Sequence, residues 1–183
     1  MNSRFFALAR RRRRDGMTRV AIITGSSSGI GAACALELAS RGWSVVVNFS
    51  KNAAEAQKVV AQCKDAIAVQ ADVGEDADCR KLAQAALDKW GRIDVLVNNA
   101  GTTKFVKHAD LEGLSAEDFL RIYRLNVVGP FQMTRACAAA LKAAKGAVVN
   151  ISSVASLLGT GSSVAYAASK AALNAMSLSL ART

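Results

Sequence analysis

Apolar residues along the chain fall into two alternating patterns: short continuous runs, and longer stretches in which they recur every three or four positions. The runs are Val20 to Thr24, Ser44 to Phe49, Ala66 to Ala71, Ile93 to Asn98 and Ala147 to Ile151, each of strand length and rich in valine or isoleucine. Continuous rather than alternating apolarity suits strands covered on both faces, so the pattern predicts a parallel sheet between two helical layers. Helices are predicted over Gly29 to Arg41, Ala53 to Lys64, Asp76 to Trp90 and Ser115 to Lys142, with a fifth after Ser162. Gly42 and Gly91 suit the left-handed position that closes a helix, and Ser115-Ala-Glu-Asp118 comes close to a capping pattern. The chain's only proline, Pro130, is expected to interrupt the fourth helix between Asn126 and Pro130.

A length of 183 residues leaves room for one core, expected over residues 17–183. Residues 1–16 form an arginine-rich extension, expected to be disordered or to precede the true start at Met17, with a mitochondrial-type presequence as the lesser reading. That extension supplies half of the net charge of +10, and the remainder is scattered, which argues against a specific nucleic-acid surface. The tail itself keeps open attachment to a polyanion or an anionic membrane surface.

Cys34, Cys63, Cys79 and Cys137 have no Cys-x-x-Cys spacing and His108 is the only histidine, so no metal site is expected. All four fall in predicted helices, three of them among alanines and leucines, where free thiols pack as small hydrophobes and imply a reducing compartment, here taken as the cytoplasm. The uncharged stretch from Gly146 to Ser169 is rich in serine and glycine and contains Asn150, unlike a membrane span.

The first predicted strand runs into Thr24-Gly25-Ser26-Ser27-Ser28-Gly29-Ile30-Gly31 and then a helix, the context in which a glycine loop binds a phosphate. Glycines allow close backbone approach, and free amides at the helix start favour an anion. Further along, Tyr166 and Lys170 stand four apart on one predicted helix face. A cation beside a phenol favours the phenolate, so Tyr166 can act as general acid/base. Ser153 follows the fifth strand, where a hydroxyl can stabilise charge on a substrate oxygen.

The Gly-x-x-x-Gly-x-Gly spacing, followed by Asn98-Asn99-Ala100-Gly101, by Asn126-Val127, and by Ser153 thirteen residues ahead of Tyr166-x-x-x-Lys170, resembles the short-chain dehydrogenase/reductases over Thr18 to Thr183. The likeness is strongest to the branch of 3-oxoacyl-[acyl carrier protein] reductases. It implies a Rossmann-type sheet in the order 3-2-1-4-5, with Asn126, Ser153, Tyr166 and Lys170 catalytic, and with Ser153 and Tyr166 also touching the substrate. Ser152 is the neighbouring competitor for the serine role. Asn126 is implied to hold a water in a proton relay, with backbone bonding as the plain alternative. Asp72-Val73 resembles the family's adenine-contacting pair, although Asp72 reads equally as a helix cap. Asn98, Ala100 and Gly101 are implied to flank the cofactor, Tyr166 and Lys170 to contact it as well, and His108 is expected to be a solvated loop residue.

The acid that usually bonds an unphosphorylated ribose about 20 residues past the loop is replaced by Asn48-Phe49-Ser50-Lys51. Ser50 and Lys51 suit a 2′-phosphate, so NADP(H) is expected over NAD(H). The substrate is then a small carbonyl compound or alcohol, and a homo-oligomer is the expected form of the full-length protein. Family members continue beyond the helix at which this chain stops. The last strands of the family sheet are therefore expected to be missing, leaving an exposed edge and a fragment of weak activity or none as the alternative to a working reductase.

Overall fold

The computed structural model describes residues 18–182, so the arginine-rich extension lies outside the described residues. Five parallel strands, β1 (Val20–Ile23), β2 (Ser44–Phe49), β3 (Ala66–Gln70), β4 (Val95–Asn98) and β5 (Ala147–Asn150), form one sheet in the order β3-β2-β1-β4-β5. Helices α1 (Gly29–Ser40), α2 (Ala53–Ala61) and α3 (Asp76–Trp90) connect the first four strands. After β4 come α4 (Ala116–Tyr123), a π-helical turn (Arg124–Val128) and α5 (Gly129–Ala144), and after β5 the short α6 (Ala155–Leu158) and α7 (Val164–Leu180).

The continuous apolar runs are explained by the two faces. Val20 and Ile22 of β1, Val46 and Leu96 pack with Leu82, Met133, Cys137 and Leu141 of α3 and α5. The alternate residues Ala21, Ile23, Val45, Val47 and Val97 pack with Ala35, Ala39, Ala56 and Val59 of α1 and α2. Burial pushes the Cys79 and Cys137 thiols up to about 12, so both stay neutral and pack as apolar groups. At the edge strand β5 both faces are partly open: Val148 and Val149, which point to opposite faces, are 37% and 45% exposed. Among the described residues no helix is long and apolar enough to cross a membrane.

Most elements fall where the pattern predicts, and Ser115 makes a full capping box with Asp118 at the start of α4. The fourth crossover differs. Pro130 does not break the helix; it sits in the first turn of α5, and the irregularity ahead of it is the π turn. Lacking an N–H, Pro130 leaves the carbonyl four residues back without its α-helical donor, which is compatible with a widened turn that stays helical.

Candidate active site

The glycine loop, the β2 and β3 exits and the Asn-Asn-Ala-Gly segment all leave the carboxyl end of the sheet, where β1 and β4 are neighbours at the switch point. Three side-chain amides, two of them buried, and one hydroxyl fasten these exits together. Thr24 Oγ1 accepts from the N–H groups of Asn99 and Ala100, both at 2.9 Å. Asn99 Nδ2 returns bonds to the carbonyls of Thr24 (2.9 Å) and Gly25 (3.1 Å). Asn48, 2% exposed, accepts from Gly25 N–H at 2.9 Å and donates to the Ala71 carbonyl at 3.0 Å, spanning β1, β2 and β3. Asn98 Nδ2 donates to Asn150 Oδ1 at 2.8 Å, directing its side chain toward β5 and α5.

These exits enclose an open cleft of about 590 Å³. Of the residues expected at a cofactor, Gly25, Ser27, Ser28, Ser50, Lys51, Asp72, Val73, Ala100 and Gly101 line it. Ser26 is fully buried beneath the loop, donating to the Ile23 carbonyl and accepting from Asn48 N–H. Gly31 packs under it too, against Gly25 and Asn99, while Ile30 projects outward, 63% exposed. Gly29 has a positive φ of 55° and faces open space. No side chain caps α1 and its first turn carries no acid, so the amides at its start are available to an anion. The cleft's charged lining is Lys51, Arg121 and Arg124 against the single carboxylate of Asp72. The excess of positive charge in this lining suits an anionic ligand.

Asp72 is not the cap of α3. Its Oδ1 accepts from Gly74 N–H at 2.9 Å and its Oδ2 from Arg124 at 2.8 Å; Glu75, whose carboxylate also accepts from Arg124, takes the cap position without a side-chain capping bond. These acceptors raise the Arg124 pKa, keeping the guanidinium charged.

At its far end the cleft reaches Gly101 and Thr102, against which Asn126 and Lys170 pack. A Cβ on Gly101 would stand 3.2 Å from Asn126 Oδ1 and 3.7 Å from Lys170 Nζ. Asn126, fully buried in the π turn, accepts from Thr102 N–H (2.8 Å) and donates to the Thr102 carbonyl (2.9 Å) and Ser169 Oγ (3.0 Å). Ser169 in turn donates to the Tyr166 carbonyl at 2.7 Å. Backbone bonding is thus a real part of what Asn126 does.

Ser163 caps α7 by accepting from Tyr166 N–H, placing Tyr166 in the first turn and Lys170 one turn on. Lys170 Nζ donates to the Ile151 carbonyl at 2.8 Å and lies 5.8 Å from the Tyr166 ring centre. Ser153 Oγ sits at the start of α6, accepting from Ala155 N–H at 3.2 Å. Ser152 instead points its hydroxyl to the Lys170 carbonyl. His108 is exposed in its loop.

Burial pushes the Lys170 ammonium below the ordinary lysine value of 10.5. Between that lowered value and 10.5 the unfolded chain binds more protons than the folded one, so this group makes stability rise with pH across the interval. The unfolding free energy of wild type relative to Lys170→Met is therefore expected to improve as pH climbs toward 10.5, as measured by urea titrations. A difference independent of pH would contradict the burial argument.

Five parallel strands in this order, with a cleft at the switch point, define a Rossmann-type α/β scaffold. Residues 19–183 match the family model for short chain dehydrogenases, and the chain belongs to that family. It is 45% identical over 165 residues to a granaticin polyketide synthase putative ketoacyl reductase 2 of Streptomyces violaceoruber, covering 90% of this chain and 66% of that protein. The chain thus spans about two thirds of that relative's length. Among solved structures, a putative short-chain dehydrogenase/reductase from Burkholderia xenovorans superposes with a TM-score of 0.87 at 46% identity, over 90% of this chain and 71% of that one. An alcohol dehydrogenase from Thermococcus sibiricus, complexed with 5-hydroxy-NADP, gives 0.81 at 27% identity, over 89% and 70%.

From the sequence, Thr24 and Asn99 were placed only as members of their motifs, and Asn48, Ser169 and Arg124 were given no part in the site. Asn48 carried a usable sign, being an amide directly after three valines in a strand that is buried throughout.

Proposed function

We propose that the chain forms the cofactor-binding and catalytic part of an NADP(H)-dependent reductase that interconverts a ketone and a secondary alcohol. The observation that carries this reading is the abutment of the cleft's Gly101–Thr102 end on Asn126 and Lys170, one helical turn from Tyr166. The nicotinamide, when bound, supplies or accepts the hydride. Tyr166 exchanges the proton with the carbonyl oxygen as general acid/base, and Ser153 donates a hydrogen bond to the same oxygen. Lys170 brings positive charge to the tyrosine, and Asn126 holds the Thr102 backbone and α7 in register. The ketoacyl reductase name of the Streptomyces violaceoruber relative supports a ketoacyl-type substrate.

Preference for the phosphorylated cofactor is supported by Ser50 and Lys51 on the cleft wall and by the pairing of its one carboxylate, Asp72, with Arg124. The bound NADP derivative of the Thermococcus sibiricus relative is consistent with it. Calorimetric titration is expected to show NADPH binding more tightly than NADH. Lys51→Glu is expected to weaken NADPH by about tenfold, the scale of one charge-assisted phosphate bond, without harming NADH. Equal binding of the two cofactors by wild type would sink the NADP(H) assignment.

A further inference from the structure

Both ends of the π turn grip the segment that follows β3. At its start the Arg124 guanidinium donates to Asp72 Oδ2 at 2.8 Å and Glu75 Oε1 at 2.6 Å. It also lies so close over Gly74 that a Cβ there would stand 2.7 Å from Cζ. At its end, Gly129 packs on Val73, whose carbonyl oxygen would be 3.0 Å from an added Cβ. Gln132 Nε2 donates to that same carbonyl at 3.2 Å. The backbone closes the turn between these grips, with Gly129 N–H donating to the Arg124 carbonyl.

The middle of the turn is Asn126, which holds Thr102 and, through Ser169, the first turn of the tyrosine helix. Asp72, Val73 and Arg124 all line the cleft, whereas Glu75 does not. One short element therefore touches a wall of the nucleotide cleft on one side and the tyrosine helix on the other. An isolated surface ion pair is worth little. Here one nitrogen, Nη2, serves both carboxylates while Cζ, Nε and Nη2 lie together over Gly74, a flat packing that an ammonium does not reproduce. The guanidinium also cancels acidic charge beside a cleft suited to an anionic ligand.

We propose that Arg124 is a positioning residue that fastens the Asp72–Val73 wall to the turn carrying Asn126, so that cofactor affinity and the chemical step depend on the same guanidinium. This rests on the reading of the cleft as an NADP(H) site. The test uses the full chain with Arg124→Met, which keeps most of the stem, and Arg124→Lys, which keeps the charge. Affinities for NADP+ and for its adenosine half, 2′,5′-ADP, are measured by calorimetry, and kcat is measured with ketone at saturating NADPH.

Arg124→Met is expected to weaken both nucleotides by a common factor of about five and to lower kcat even at saturation. Arg124→Lys is expected to recover part of the affinity and little of kcat. A merely structural role would lower the melting temperature while leaving the fragment affinity and kcat of the folded variant unchanged, and that result overturns the proposal. Should Arg124→Met not fold, Glu75→Gln removes one grip outside the cleft, and must weaken 2′,5′-ADP in the same direction for the proposal to stand. Failure of wild type to bind either nucleotide overturns the cofactor reading and this inference with it. Wild-type binding with indifferent variants overturns the role of Arg124 alone.

Discussion

Replacing Tyr166 with phenylalanine is expected to lower ketone reduction by about 10²- to 10⁴-fold, the usual worth of a positioned general acid/base, while NADPH still binds. The hydroxyl is the only group lost. Tyr166 N–H keeps its Ser163 cap, its carbonyl keeps the bond from Ser169, and Lys170 keeps its bond to Ile151. The helix and the cleft wall should therefore survive intact, and the loss should fall on kcat. Following NADPH oxidation with acetoacetyl thioesters and small ketones, alongside a cofactor titration, separates the two quantities. Undiminished turnover in the variant would remove Tyr166 from the mechanism.

Gly31→Ala should be the most damaging single methyl in the cofactor loop. Gly31 lies in the first turn of α1 with no left-handed φ, so its need for glycine is one of volume alone. A Cβ there would stand 2.5 Å from the Gly25 carbonyl oxygen and 2.5 Å from Asn99 Nδ2, with Ser26 Cα at 2.9 Å. Two of those neighbours are backbone and the third is the amide that bonds Thr24 and Gly25. None yields cheaply, so the loop and the Asn-Asn-Ala-Gly segment must separate. Overpacking of this kind costs about 1–3 kcal/mol, and the shifted loop should reduce cofactor affinity by at least about tenfold. Urea titrations and calorimetry measure both, and wild-type values in the variant would show that the two segments can part freely.

The layers of the fold were legible because strands covered on both faces leave unmistakable apolar runs, and the glycine loop because it sits between a strand and a helix. The sheet order followed from family likeness, and the structure and its solved relatives bear it out. What escaped the sequence has a common physical character: it depends on which way a side chain turns. Asn98 and Asn99 are adjacent and identical, yet one reaches toward β5 and the other stitches the glycine loop. Asp72 satisfied two descriptions equally until Arg124, fifty-two residues away, was found on its carboxylate. The π turn was equally hidden, since one added residue alters hydrogen bonding without altering the apolar period enough to notice. Pro130 marked the place but suggested a break.

That added residue also separates two helical phases. The turn lets α4 present its surface to the loop through Asp118, held by Lys104 and Arg121, while α5 directs Met133, Cys137 and Leu141 into the core. An uninterrupted α-helix would tie those two orientations to one rotation, about 100° per residue. With the π turn as a clutch between them, the outer surface of α4 can drift through substitution and small rotation without dragging the core stripe of α5 out of line. The loop end of the site is thereby free to diversify over a sheet that stays the same.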